Sequence, residues 1–161
     1  MPHPFVSQLV SFFESHHLVY RYFEHPPVKT SQEAASLRTG YSLKQGAKAI
    51  IIKIPRPFYH SDFVMLVFPA DRKFDNKKVK ILLNIKEFRF ATPEEISFLT
   101  QGILPGAIPP FGNLFSIPLI VDPSLFENKL IIFNAGDRGV SISISSRDYR
   151  KVAAPLESVI T

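Results

Sequence analysis

The chain contains no cysteine and no tryptophan. Without thiols there can be no disulfide, no thiolate metal site and no cysteine nucleophile. No apolar run approaches the roughly 20 residues that a membrane helix needs. Met1-Pro2-His3-Pro4 lacks the basic-then-apolar order of a secretory leader, so a cytoplasmic protein with no membrane partner is expected. There is no phosphate loop of the G-x-x-x-x-G-K type and no dinucleotide fingerprint, and no serine sits in a nucleophile-elbow sequence. His16, His17 and His25 have no acidic or histidine partner at a ligand-like spacing. They are expected at a helix end and a turn, and neither a metal nor another cofactor is implied.

What is present describes a folded chain. At 161 residues there is room for one domain with a sizeable core, spanning 1–161, and too little for two ordinary ones. A 45% hydrophobic and 20% charged composition fits a globular protein. Fifteen phenylalanines predict a core built on Phe with Ile, Leu and Val, and fourteen scattered prolines predict many turns. The net charge of +5 is unevenly placed. Between Asp71 and Arg89 stand Arg72, Lys73, Lys77, Lys78, Lys80, Lys86 and Arg89, against only Asp71, Asp75 and Glu87. Such a stretch suits the phosphates of a polyanion, though a solvated helix face would look the same.

Periodicity places the elements. Val6, Leu9, Val10 and Phe13 follow the helical repeat, predicting an opening amphipathic helix that ends near His16. Residues 19–24 read as a strand closed by His25-Pro26-Pro27. Thr30-Ser31-Gln32-Glu33 is a capping-box sequence, starting a helix that Gly40 stops. A buried strand over 47–54 is followed by a Pro55-Arg56-Pro57 turn and a second apolar strand over 63–68. Asp75 can cap a basic helix over 76–83, with Val79 and Leu82 inward. A strand near 88–90, where Phe88 and Phe90 fit a strand core better than a base-stacking platform, leads to Thr92, Pro93 and Glu95, a second capping box. Strands over 117–121, 130–134 and 140–144 and a short helix from about Arg147 follow. Six or seven strands among four or five helices make a mixed α+β domain. Ile50-Ile51-Ile52 is apolar on both faces, which marks its strand as central.

Two segments carry candidate chemistry. In the first, Gly46-Ala47-Lys48, one lysine stands at the mouth of an apolar strand. Strand alternation puts Lys48 on the face of Ile50, Ile52 and Ile54, and Lys53 on the other. A lysine there either snorkels to solvent or meets an anion. The second is the loop from Gly102 to Gly112, stiffened by Pro105, Pro109 and Pro110 and freed at its glycines. Its Gly106, Ala107 and Ile108 amides can point into one space, as an ester carbonyl or developing oxyanion requires. A tight helix-to-strand connection is the ordinary use of such residues. An amine and an amide-lined turn are the parts needed to grip an acyl ester with little protein acid–base chemistry.

In order, several segments resemble the YbaK / prolyl-tRNA synthetase-associated domain family of aminoacyl-tRNA editing enzymes, over about 23–149. They are Glu24-His25-Pro26 with Thr30, Gly46-Ala47-Lys48, Pro69-Ala70-Asp71 with Asp75-Asn76-Lys77-Lys78, Arg89 to Glu95, Gly106 to Gly112, and Phe133-Asn134-Ala135-Gly136. The resemblance implies a curved, barrel-like mixed sheet flanked by helices. It also implies a cytoplasmic enzyme that hydrolyses the 3′-terminal ester of mischarged tRNA, usually tRNA for proline. Lys48 matches the family's essential lysine, which holds the terminal adenosine's phosphate or orients the aminoacyl group. Gly106 matches the loop glycine that positions the ester carbonyl, and Ala107, Ile108, Pro109 and Pro110 continue that loop. Thr30 belongs to the same set, and Phe23, Asn134 and Ser141 align with positions lining the amino-acid pocket. Arg72, Lys73, Lys77, Lys78 and Lys80 would meet the phosphates of the tRNA acceptor end.

The attacker in such enzymes is a water or a group on the substrate. Ser141 departs from the acidic residue of the YbaK branch, so that branch's cysteine specificity does not carry over. Alanine, serine, threonine or cysteine all remain as the amino acid removed. The chain would act in trans, with a synthetase as an implied docking partner. The alternatives are an inactive tRNA- or synthetase-binding adaptor of the same fold, and a protein binding a small acyl ligand.

Overall fold

The computed structural model describes residues 1–27, 30–38 and 40–161. Its framework follows from one strand that is apolar on both sides. Strand β2 (Ala47–Phe58) pairs antiparallel with β3 (Ser61–Pro69), setting Lys48 opposite Phe68 and Ile52 opposite Val64. Alternate side chains then feed two clusters on opposite faces. Ile51, Met65 and Val67 join the larger cluster, with Leu9 and Phe13 of helix α1 (Pro4–Ser15), Phe111, Phe133 and Tyr149. Ile52, Ile54, Val64, Leu66 and Phe68 join the smaller one, closed by Val79 and Leu83 of helix α3 (Asn76–Leu83) and by Ile160.

The remaining strands are β1 (Tyr20–Glu24), β4 (Arg89–Phe90), β5 (Leu119–Val121), β6 (Leu130–Asn134), β7 (Val140–Ser145) and β8 (Leu156–Glu157). They form two sheets, β4-β2-β3-β5-β8 and β1-β7-β6. The first is mixed, since β3 pairs parallel with β5 and β5 with β8. A parallel bridge between Gly46 and Ile132 joins the sheets. The expected α+β class with a mixed sheet is therefore present, divided into two sheets rather than one, and without barrel closure. Helix α2 (Ser31–Leu37) starts at Thr30, whose hydroxyl accepts the Glu33 N–H. Helix α4 (Pro93–Thr100) starts at a complete capping box of Thr92 and Glu95, and α5 (Ser146–Ala153) at Ser145. None of the described helices is long and apolar enough to cross a membrane.

Two expectations need correction. The Pro55-Arg56-Pro57 segment is no turn: β2 runs through it to Phe58, and the register shifts between Lys53 and Phe58. The prolines lie in that irregular stretch, where a missing N–H breaks no ladder bond. The chain instead reverses at Tyr59 and His60, both at positive φ, as a two-residue hairpin needs. Phe90 is 59% exposed on the edge strand and belongs to neither cluster. In α3, Val79 is buried and Leu82 packs half-buried against the smaller cluster, both inward as expected, with Leu83 buried beside them.

The C-terminus is tied down by one buried carboxylate. Asp122, only 2% exposed, accepts from the Ser124 N–H and hydroxyl through Oδ1. Its Oδ2 accepts from the Ile160 and Thr161 amides and the Thr161 hydroxyl. Burial acts to raise the pKa of this group, but the hydrogen bonds outweigh it and hold the value at about 2, below the ordinary 3.8. A depressed folded-state pKa contributes stability that is full above the unfolded value and lost as pH falls through the folded one. Asp122→Ala should therefore cost about 1.5–3 kcal/mol near neutral pH. In urea unfolding at successive pH values, that gap should narrow between about pH 4 and pH 2.

Candidate active site

Where the start of β2, helix α2, the end of β6 and the loop before Phe111 converge, they enclose a cavity of about 340 Å³. Lys48, Gly106, Ile108, Thr30 and Asn134 all contribute to its wall. Lys48 is exposed there and has no ion-pair partner among the described residues. Lys53, five residues on and facing the other way, is differently placed. Its Nζ lies 3.9 Å from Asp62 and 4.7 Å from the centroid of the Phe63 ring.

The loop owes its shape to a turn and a set of anchors. Leu104-Pro105-Gly106-Ala107 closes with the Ala107 N–H donating to Leu104 O, and Gly106 takes φ +85°, which a side chain at that position would resist. Almost every carbonyl from Pro105 to Pro110 accepts a hydrogen bond. Arg138 donates to Pro105 O through Nε and Nη2, Asn134 Nδ2 to Gly106 O at 2.7 Å, and the Gly136 N–H to Ala107 O. The Phe111 N–H donates to Pro109 O, and the fully buried Tyr149 hydroxyl to Pro110 O at 2.6 Å. Prolines 105, 109 and 110 have no N–H to offer. Since the Ala107 amide is spent on the turn, the expected trio of amide donors reduces to two. The Gly106 and Ile108 amides have no protein acceptor among the described residues.

The same wall includes a residue that the sequence did not single out. Arg38, just after α2, is 8% exposed and faces no carboxylate among the described residues. Its Nη2 donates to Asn134 Oδ1 at 2.9 Å and its Nε to Ser141 Oγ at 3.0 Å. Burial lowers its pKa from 12.5 to about 10, so it stays charged at neutral pH. Asn134 is thereby fixed in orientation: with its oxygen on the guanidinium, its amide must face Gly106. Ser141 in turn lies 2.7 Å from His25 Nε2, while His25 Nδ1 lies 2.9 Å from Pro26 O. A carbonyl only accepts, so Nδ1 carries the proton of the neutral ring, and Nε2 accepts from the Ser141 hydroxyl.

The sequence-predicted residues divide accordingly. Phe23, Ser141 and Asn134 stand side by side across β1, β7 and β6, in direct register. Only Asn134 reaches the cavity wall; Ser141 is buried behind Arg38, and Phe23 packs edge-on to Tyr41 at 5.7 Å. Ala107, Pro109 and Pro110 are buried supports of the loop. Of the basic stretch, Arg72, Lys73 and Lys77 line an adjoining groove that also includes Lys48. Lys78 Nζ instead donates to Thr161 O, and the half-buried Lys80 lies outside that groove. Arg38 left no signal in the sequence, because a cation at the end of a short helix is commonplace.

The aminoacyl-tRNA editing domain model matches residues 25–152 of the chain. The multifunctional Ser/Thr-tRNA deacylase ProXp-y of Escherichia coli is 30% identical over 149 residues, covering 92% of this chain and 87% of that protein. The crystal structure of a proposed trans-editing enzyme for prolyl tRNA synthetase superposes with a TM-score of 0.83 at 19% identity, over 100% of this chain and 99% of the other.

The Arg38 fork has a direct test. Arg38→Met removes an uncompensated buried charge but strands two acceptors, opposing effects that should leave global stability within about 2 kcal/mol. Loosening of Asn134 should nonetheless speed hydrogen exchange at the Ala107 and Gly136 amides at least about tenfold. Arg38→Lys, which cannot span Ser141 and Asn134 with a fork, should do the same.

Proposed function

The chain belongs to the aminoacyl-tRNA editing domain family and is an aminoacyl-tRNA deacylase, and we propose that it removes serine or threonine from the 3′ end of tRNA. The carrier suggested by the structural neighbour, a proposed trans-editing enzyme for prolyl tRNA synthetase, is tRNA for proline. The observation that carries this reading is the loop anchored through its carbonyls, with the Gly106 and Ile108 amides left as donors at the cavity wall.

The ester carbonyl oxygen is the natural acceptor for those amides. Charge grows on that oxygen as the tetrahedral intermediate forms, so fixed donors bind the transition state more tightly than the substrate. Lys48 holds the terminal phosphate or orients the aminoacyl group through its ester oxygens. The attacking oxygen belongs to water or to the substrate's own ribose, and the protein's contribution is positioning. Among the described residues no carboxylate lines the cavity, whereas two cations, Lys48 and Arg38, do. The wall therefore suits substrates rich in acceptor oxygens. A serine or threonine hydroxyl can accept from Arg38 and Asn134, and a site built for a hydroxyl rejects an analogue without one.

Deacylation of tRNA charged with Ser, Thr, Ala, Cys or Pro tests this reading. Ser or Thr should exceed Ala by at least about tenfold in kcat/KM. Lys48→Ala should lower the rate about 100-fold, and Lys53→Ala, whose charge is engaged elsewhere, should leave it within about twofold. Equal losses in both variants would contradict the assignment of Lys48.

A further inference from the structure

We propose that the groove beside the cavity seats the unpaired 3′ end of the RNA, with the Phe90 ring as a stacking platform for a base. This rests on the deacylase reading above and specifies what lies next to the ester. The groove measures about 750 Å³ against 340 Å³ for the cavity, and the two share Lys48 and Ile50. A ligand whose end enters the cavity thus passes Lys48 and continues into a space more than twice as large. That is the geometry required by an amino acid esterified to a nucleotide.

The chemistry of the groove matches a single strand. Arg72, Lys73 and Lys77 supply cations along it, and the one carboxylate among its described residues, Asp75, is engaged in capping the Lys77 and Lys78 amides of α3. Between these charges lie aromatic rings. Phe74 meets Phe90 edge-on, with centroids 5.9 Å apart and planes at 82°, and is itself backed by Phe68 at 6.0 Å. Phe90 is thus braced through its contact with Phe74 while 59% of its surface stays open, at the sheet edge formed by β4. An exposed, braced ring among cations is how proteins hold single-stranded nucleic acid without reading its sequence. A paired acceptor stem offers phosphates but no free base face, so cations alone would serve for duplex binding.

Steady-state deacylation of Ser-tRNA by wild type, Phe90→Leu and Phe90→Trp decides the matter. Leucine keeps an apolar contact with Phe74 but removes the aromatic face, and tryptophan restores a face. Phe90→Leu should raise KM about 5- to 100-fold with kcat within about twofold, and Phe90→Trp should return KM to near wild type. Wild-type KM in the Leu variant would overturn the platform while leaving the deacylase standing. Equal impairment in Leu and Trp would overturn it in favour of simple packing. An inactive wild type across all charged tRNAs would remove the deacylase reading itself, and this proposal with it.

Discussion

A proline-rich loop can be held at its prolines only through carbonyl oxygens, because proline has no N–H. Between Pro105 and Pro110 the fold supplies a donor to nearly every one of them: the Arg138 guanidinium, the Asn134 amide, the Gly136 and Phe111 backbones and the Tyr149 hydroxyl. Once the carbonyls are bound and one amide closes the turn, the Gly106 and Ile108 amides remain without a protein acceptor among the described residues. The donor capacity of the loop is thus a consequence of how it is fastened. Tyr149 and Phe111 connect the fastening to the largest aromatic cluster, where their rings lie 5.2 Å apart, so loop position and core packing are one problem.

The electrostatics of the site follow from a second asymmetry. Arg38 is buried against neutral oxygens, and Lys48 stands at the mouth of β2 without a carboxylate. Leaving the buried Arg38 charge uncompensated is costly, and among the described residues no carboxylate lines the cavity. The two-faced strand β2 makes this possible. Its large packed area holds Lys48 in place between the cavity and the basic groove while Lys53, on the opposite face, is tied to Asp62 and Phe63.

Much of this was legible in the sequence, for identifiable reasons. Helix starts at Thr30, Asp75 and Thr92 were readable because caps are local chemistry, and the opposed faces of Lys48 and Lys53 because strand alternation is geometric. The register that sets Phe23 beside Ser141 was not, since it pairs strands more than a hundred residues apart; Asn134, seven residues before Ser141, joins them through the β6–β7 hairpin. Arg38 was invisible for the same reason: its meaning comes from burial by distant elements. The exposure of Phe90 was misread because β4 is two residues long at a sheet edge, too short for alternation to declare a face. β2 was cut short because Pro55 and Pro57 signal a turn locally, whereas the irregular end of a long hairpin accommodates both.

The relay from Arg38 through Asn134 to the Gly106 carbonyl is tested most directly by the single-turnover rate of Ser-tRNA hydrolysis by Asn134→Asp, measured beside its unfolding free energy. A carboxylate at this position would pair with the Arg38 guanidinium but could no longer donate to Gly106 O, and would repel that carbonyl. The relay predicts stability equal to or above wild type together with a rate at least about tenfold lower. A rate unchanged or raised, with the protein folded, would contradict it.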